Sequence, residues 1–259
     1  MVRVTGTILV YSAALLLSNP LLAAGSDCAG NPDALGTSRE ITVNPEDYPK
    51  IGKAQYLETL PLQTREVVLT FNGGPEPPYT DRILNILARE CVKATFFVLG
   101  SNAQDAPDLV RRAFNEGHAI GSFGFSEEEL TSMPLEAAKS DIENGIMATD
   151  QALENVGYLS PYFRAPSLAL TTQLERHIIS IGLMIWSIDA DSGDWSDDLT
   201  EEQLVRQTVD RLEEVGGGVL QMHDRPVTAR ALQSLLTELK RRDFRVVQLI
   251  RMPYLLPKN

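Results

Sequence analysis

Residues 66–87 read EVVLTFNGGPEPPYTDRILNIL, and this stretch decides the fold. Residues 67–71 form a short apolar run with β-branched side chains, which is typical of a buried β-strand. Residues 72–75 combine Asn, Gly and Pro and indicate a turn. The apolar residues that follow recur on one side of a helix: Ile83, Leu84, Ile86 and Leu87. The stretch therefore predicts a strand, a loop and a helix in succession.

The same alternation continues along the chain. Further strands are predicted at residues 94–99, 118–121, 183–189, 218–222 and 244–250. Helices are predicted at residues 107–116, 135–156, 174–181 and 228–242, and after the capping box formed by Thr200 and Gln203. Alternating strands and helices over about 190 residues predict one α/β domain with a parallel sheet. The pattern alone fits an open doubly wound sheet and a closed or distorted barrel equally well.

Charge excludes one class of partner. The chain has 259 residues, 35 acidic and 23 basic, for a formal net charge of −12, and 43% of its residues are hydrophobic. This composition is typical of a globular protein. An acidic surface repels the phosphate backbone, so nucleic acid is not expected as a partner.

The first 24 residues have the pattern of a secretory signal peptide. A single charge, Arg3, precedes an apolar run at residues 7–17, and small residues follow at Ala23 and Ala24. The run is shorter than the ~20 residues that cross a bilayer, and no later run reaches that length, so we predict no integral membrane segment. A cleaved leader implies a secreted or periplasmic protein.

Residues 25–64 are rich in Pro, Gly, Asn and Asp and lack a clear period. They are predicted to form an N-terminal arm laid over the core of a domain at residues 65–259. The chain has two cysteines, Cys28 and Cys91, and an exported protein favours a disulfide between them. Two cysteines without neighbouring histidines do not form a zinc site.

Four loops are candidates for function, because parallel α/β folds place functional side chains after the carboxyl ends of strands. They lie at residues 72–78, 123–130, 189–195 and 223–226. The triglycine at residues 216–218 follows a helix and precedes a strand, the reverse of a phosphate-binding loop. We therefore predict a helix C-cap there. Structural packing is predicted for His118 and His177.

At these loops the chain resembles the NodB-homology polysaccharide deacetylases of carbohydrate esterase family 4, over roughly residues 66–251. Five motifs occur in the family's order. The family's TFDDGP corresponds to TFNGGP at residues 70–75, and its HTxxH to FGFSE at residues 123–127. Its arginine-proline segment, its segment ending in DW and its LxHD correspond to residues 163–166, 194–195 and 220–224. The resemblance implies a distorted (β/α) barrel that removes acetyl groups from N-acetylated glycans.

The resemblance also identifies what this chain has replaced. The family's general base is an aspartate, and its divalent metal, such as zinc, is held by a second aspartate and two histidines. Here Asn72 stands at the base position, and Gly73, Phe123 and Glu127 stand at the ligand positions. An amide does not take a proton from water at neutral pH, and one carboxylate does not replace an Asp-His-His set. We predict no cofactor and impaired catalysis.

The other wall of the implied site is retained. The resemblance makes His223 the general acid, Asp194 the carboxylate that orients it and Arg164 the holder of the base. It also predicts substrate contacts from Trp195, Pro166 and Leu220, the last as the leucine of LxHD. The structural alternative is that His223 and Asp224 cap a strand end while Arg164 pairs with a carboxylate.

Three functions remain open, and the first is favoured. The chain is a glycan-binding pseudoenzyme for N-acetylated glycans of the chitooligosaccharide or peptidoglycan type, an active deacetylase with a non-standard site, or a protein-interaction scaffold. The non-standard site would join Asp189, Asp191 and Asp194 to His223. Their spacing is like the start of a calcium loop but lacks the later glycine and glutamate, so a solvated acidic loop is favoured.

Overall fold

The computed structural model describes residues 28, 30–154, 161–196 and 198–250. The predicted signal peptide at residues 1–24 lies outside these residues. The strands are β1 (Thr37–Ile41), β2 (Lys50–Ile51), β3 (Glu66–Asn72), β4 (Thr95–Val98), β5 (Ala119–Ser122), β6 (Tyr162–Phe163), β7 (Met184–Trp186), β8 (Ala190–Asp191), β9 (Gly218–His223) and β10 (Arg245–Leu249). The helices are α1 (Tyr79–Arg89), α2 (Gly100–Asp105), α3 (Pro107–Asn115), α4 (Leu135–Ala152), α5 (Thr172–Ser180), α6 (Glu201–Val215) and α7 (Pro226–Arg241).

The strands form one parallel sheet in the order β1-β10-β3-β4-β5-β6-β7-β2, and β9 joins it by pairing with both β3 and β8. The predicted α/β fold with a parallel sheet is confirmed. Within the described residues no ladder joins β2 to β8, so the sheet is not a fully hydrogen-bonded ring. It matches a distorted barrel with a gap rather than a regular one.

Both faces of the sheet are buried, as continuous apolar strands require. Along β3, Val67, Leu69 and Phe71 pack in the cluster formed with the helices, while Val68 packs in a second cluster on the opposite face. Apolar residues of the N-terminal arm complete that second cluster: Ile41, Val43, Ile51 and Leu60.

The arm is therefore more than a cover over the core. Its β1 pairs with β10 and its β2 pairs with β7, and neither strand was predicted from the sequence. Their ladder partners lie more than a hundred residues away, so no local period marks them. The predicted disulfide is confirmed: Cys28 and Cys91 are joined and close a separation of 63 residues.

Local signals at helix ends are well reproduced. Thr200 and Gln203 form the predicted capping box at the start of α6. Gly216 ends that helix with φ 79°, the left-handed C-cap that glycine favours. No helix in the described ranges is long and apolar enough to cross a bilayer.

One predicted strand is shorter than expected. Residues 183–189 were predicted as a single strand, but β7 ends at Trp186 and β8 begins at Ala190. At the break, the Arg164 guanidinium donates to the carbonyl oxygens of Trp186 and Ser187, at 3.4 and 3.0 Å. This break brings the Asp189–Asp194 segment back along β9.

Candidate active site

The register of the sheet brings the first and last motifs together. β3 and β9 pair so that Asn72 lies opposite His223. The loops beyond them surround a cleft of about 270 Å³. Its lining includes the predicted base position, the three predicted ligand positions and His223. The sequence therefore located the cleft, whereas residues of the 189–195 loop do not line it.

Asn72 lies at the floor of the cleft and is 2% exposed. Its Nδ2 donates to Gln221 Oε1 at 2.9 Å, and its Oδ1 accepts from Arg164 Nη1 at 2.9 Å. Both ends of the amide are thus fixed by buried partners. The network fits an amide, because one partner needs a donor and the other needs an acceptor.

Arg164 is fully buried behind Asn72. Its Nη1 also donates to Thr70 Oγ1 at 2.7 Å, and the guanidinium carbon lies 4.2 Å from the centre of the Phe97 ring. Burial lowers the pKa of Arg164 to about 9, although Asp189 and Asp191 act to raise it. Among the described residues no carboxylate lies within ion-pair distance of it, so the structural alternative of a direct carboxylate partner is wrong.

His223 and Asp194 form the opposite wall. Asp194 is buried and its Oδ1 lies 2.7 Å from His223 Nδ1. Asp194 Oδ2 accepts from the His223 backbone N–H at 2.6 Å and from Thr228 Oγ1 at 2.5 Å. A carboxylate that accepts at Nδ1 places the proton there and leaves Nε2 as an acceptor in the neutral ring. The histidine is held by both its ring and its backbone.

Asp224 is a second buried carboxyl in the lining, 4% exposed. Burial raises its pKa to about 7; Thr80 and His223 oppose the rise, and Asp194 and Glu76 add to it. Its Oδ2 accepts from Thr80 Oγ1, while its Oδ1 has no hydrogen-bond partner. A Cβ on Gly74 would collide with this carboxylate, so the glycine in the first motif is needed here.

The residues at the family's ligand positions do not fit a metal. Gly73 offers no side chain, and Phe123 is an apolar residue that is 7% exposed. The Glu127 Oε1 lies 3.7 Å from the place that a Cβ on Gly73 would take. Over the described ranges no group of three His, Cys, Asp or Glu side chains converges as a metal site. One carboxylate remains where three ligands are required.

The predicted substrate contacts are not gathered in the cleft. Pro166 is buried at the start of a short turn, and Leu220 is fully buried in the core on β9. Counting the motif L-x-H-D back from His223 gives Gln221, not Leu220, as the position of its leucine. Trp195 is 58% exposed, and its Nε1 donates to Asp191 Oδ2 at 3.1 Å.

The proposed acidic site is not assembled. Asp189 accepts from Lys53 N, Thr59 Oγ1 and Val219 N, whereas Asp191 accepts from Gly193 N and from Trp195. Only Asp194 reaches His223. His118 is fully buried against Phe96, and His177 Nε2 lies 3.1 Å from Glu143 Oε1; both have structural partners.

Sequence reasoning missed three partners of this site. Gln221, Thr228 and Thr70 hold Asn72, Asp194 and Arg164 in place. A signal was available for Gln221, because a polar residue stands there between Leu220 and Met222 in an apolar strand. Buried polar residues of this kind require partners.

Comparison with known proteins gives consistent matches. The profile of the polysaccharide deacetylase family matches residues 60–186. A peptidoglycan-N-acetylglucosamine deacetylase of Bacillus cereus is 30% identical over 78% of this chain and 73% of its own length. The peptidoglycan-N-acetylglucosamine deacetylase PgdA of Listeria monocytogenes is 32% identical over 71% of this chain. The chain spans only 38% of the length of PgdA.

A solved structure agrees. The peptidoglycan deacetylase Bd3279 of Bdellovibrio bacteriovorus superposes with a TM-score of 0.73 and 25% identity, covering 83% of this chain and 60% of its own. These matches contradict the prediction that the chain takes no cofactor. The family that the chain resembles is metal-dependent, and replacement of the ligand residues does not by itself establish that this chain binds no metal. The chain belongs to the polysaccharide deacetylase family, carbohydrate esterase family 4, with its NodB-homology domain.

Proposed function

We propose that this protein is a glycan-binding member of the family in which hydrolysis of N-acetyl groups is impaired. Its ligands are N-acetylated glycans of the chitooligosaccharide or peptidoglycan type. The relatives support this class, since their names describe peptidoglycan-N-acetylglucosamine and chitooligosaccharide deacetylases.

One observation carries the proposal. The position of the general base holds an amide whose nitrogen and oxygen are both occupied, by Gln221 and Arg164. General-base catalysis contributes about 10²–10⁴-fold, and an amide does not supply it. A bound metal would acidify a coordinated water, but it does not supply the side chain that takes the proton away.

The retained wall supports binding and proton donation. His223 is 22% exposed and faces the cleft, with its Nδ1 held by Asp194. In this family position it would protonate a leaving amine. Without a base on the opposite wall, the same imidazole serves as a polar contact for a bound sugar.

The proposed location is secreted or periplasmic, with residues 1–24 as the leader, residues 25–64 as the arm and residues 65–259 as the deacetylase-like domain. The Cys28–Cys91 disulfide supports an oxidising compartment. A glycan of the cell wall or of the surroundings is available there.

The test measures binding and chemistry in the same sample. The chain without residues 1–24 is titrated with an N-acetylglucosamine pentamer, and acetate is measured after incubation with added zinc, cobalt or calcium. The expected result is saturable binding without acetate release above that of the His223→Ala variant. Acetate release that depends on His223 would instead support the active deacetylase, and neither binding nor release would support the scaffold.

A further inference from the structure

The cleft offers more hydrogen-bond acceptors than donors to a ligand. The side-chain N–H groups that line it already have partners: Asn72 donates to Gln221, and Asn102 Nδ2 donates to the Gly73 carbonyl at 2.7 Å. The Arg225 guanidinium donates to the Trp195 carbonyl at 3.4 Å. Apart from the Tyr79 hydroxyl, a ligand carbonyl such as that of an acetamide therefore finds few donors among the lining side chains.

Side-chain hydrogen-bond acceptors of the cleft lining are available to a ligand. In the part of the chain that is described, the side chains of Glu76 and Glu127 take part in no hydrogen bond or ion pair, and both line the cleft. In its neutral form His223 adds a third acceptor, since its Nδ1 is held by Asp194 and its Nε2 then keeps a lone pair. These three groups come from two loops and the end of β9, and they share one cavity.

A buried group in the same lining points to a cationic ligand. Asp224 is more than nine-tenths buried, and its Oδ1 has no hydrogen-bond partner. A buried carboxyl without a full set of partners carries a desolvation cost that a nearby positive charge offsets. With Glu76 and Glu127 it gives the lining three carboxyl groups against one guanidinium, that of Arg225.

We infer that the sugar unit held in this cleft carries a free amino group, so that the protein recognises the deacetylated, glucosamine-type units of its glycan. This inference rests on the proposed function and specifies the ligand of the same site. An ammonium group has three donors and no acceptor, which matches Glu76, Glu127 and the His223 Nε2. Charge-assisted hydrogen bonds of this kind are roughly twice as strong as neutral ones. An acetamide at the same place would set its carbonyl oxygen and methyl group against carboxylates.

The test compares two matched ligands by calorimetric titration. A glucosamine pentamer is expected to bind about tenfold more tightly than the N-acetylglucosamine pentamer, the difference expected for one charge-assisted hydrogen bond. Glu127→Gln keeps the shape and removes the charge, so it should weaken binding of the glucosamine pentamer about tenfold and change that of the acetylated pentamer less than about twofold.

Two controls separate specific recognition from general attraction to an acidic protein. Glu128→Gln removes the same charge from an exposed neighbour outside the cleft and should leave both affinities unchanged. Pentalysine carries a comparable positive charge without a sugar and should not compete. If Glu128→Gln weakens binding as much as Glu127→Gln, or pentalysine competes, the inference is wrong.

The failures of the two proposals are distinguishable. Equal or tighter binding of the acetylated pentamer would overturn the inference and leave the proposed function standing. Binding of neither pentamer would overturn both. Saturable binding of both pentamers, tighter for the glucosamine pentamer and weakened there by Glu127→Gln, would support both proposals. Binding of the glucosamine pentamer alone would overturn the proposed function as stated, because its ligands are N-acetylated glycans.

Discussion

The two walls of the cleft have diverged in different ways. On one wall, His223 is held by a buried carboxylate at 2.7 Å and keeps a nitrogen that exchanges protons. On the other, Asn72 is held as firmly, by Arg164 and Gln221, but ends in a group that does not. The comparison shows that buried networks of similar completeness hold an imidazole on one wall and an amide on the other.

Restoring the family's base and metal ligands on the altered wall should give the largest effect, a rise in acetate release. With zinc present, Asn72→Asp combined with Gly73→Asp, Phe123→His and Glu127→His should raise acetate release at least about a hundredfold over wild type. Neither Asn72→Asp alone nor the other three changes without it should do so, because groups that act as a unit are non-additive. Gly73 has φ +80°, which aspartate tolerates better than most residues, and open space lies around its Cβ position.

Adding His223→Ala to the restored variant is the control, and it should abolish the gain without changing the circular dichroism spectrum. A folded, zinc-loaded quadruple variant that releases no acetate would show that the retained wall has also changed. The comparison between the two walls would then be wrong.

Removing the arginine behind Asn72 should strongly destabilise the fold. Arg164→Leu leaves Thr70, the Asn72 Oδ1 and two backbone carbonyls without their buried donor. We expect a loss of about 4 kcal/mol in the free energy of unfolding in urea. Arg176→Leu, on the exposed side of α5, should change it by less than about 0.5 kcal/mol. Similar losses for both variants would contradict the role given to Arg164.

On the retained wall, Asp194→Ala should lower the free energy of unfolding slightly less than Arg164→Leu does. Asp194→Ala leaves the His223 ring, the His223 backbone N–H and the Thr228 hydroxyl without an acceptor. The expected loss is about 3 kcal/mol by urea unfolding, against less than about 0.5 kcal/mol for the exposed Asp198→Ala. A loss below 1 kcal/mol, on the order of an exposed site, would mean that His223 is held by something other than Asp194.

Asp224→Asn should give an effect that depends on pH. The folded-state pKa of Asp224 is raised from 3.8 to about 7, so the native state binds a proton that the unfolded state has released. The stability contributed by this proton is present at low pH and is lost as pH rises through about 7. The variant should therefore gain stability relative to wild type as pH rises from about 4 to about 8. A difference between the two proteins that stays constant over this range would contradict the burial of an unpaired carboxyl.

Sequence predicted the features that local patterns encode. The strand–loop–helix start, the capping box at Thr200 and the C-cap at Gly216 depend on neighbouring residues, and all three are present. The polar helix α2 and the strands β1 and β2 were missed, because GSNAQD has no apolar period and the strands pair with distant partners.

The same distinction between local and distant partners applies to the candidate site. Motif order located Asn72, Gly73, Phe123, Glu127 and His223 around one cleft. The partners of these residues follow from the register of β3 with β9 and from the break after β7, which no local pattern shows. The raised pKa of Asp224 likewise depends on its burial, which only the packed structure determines.

The claim that the altered wall no longer removes a proton is tested most directly by a single-turnover assay. Wild-type protein in excess over an N-acetylglucosamine pentamer is incubated with zinc, and acetate is followed beside the His223→Ala variant. Identical traces at the background rate are predicted, because the retained acid has no base to work with. A wild-type burst of acetate that disappears in His223→Ala would contradict the account.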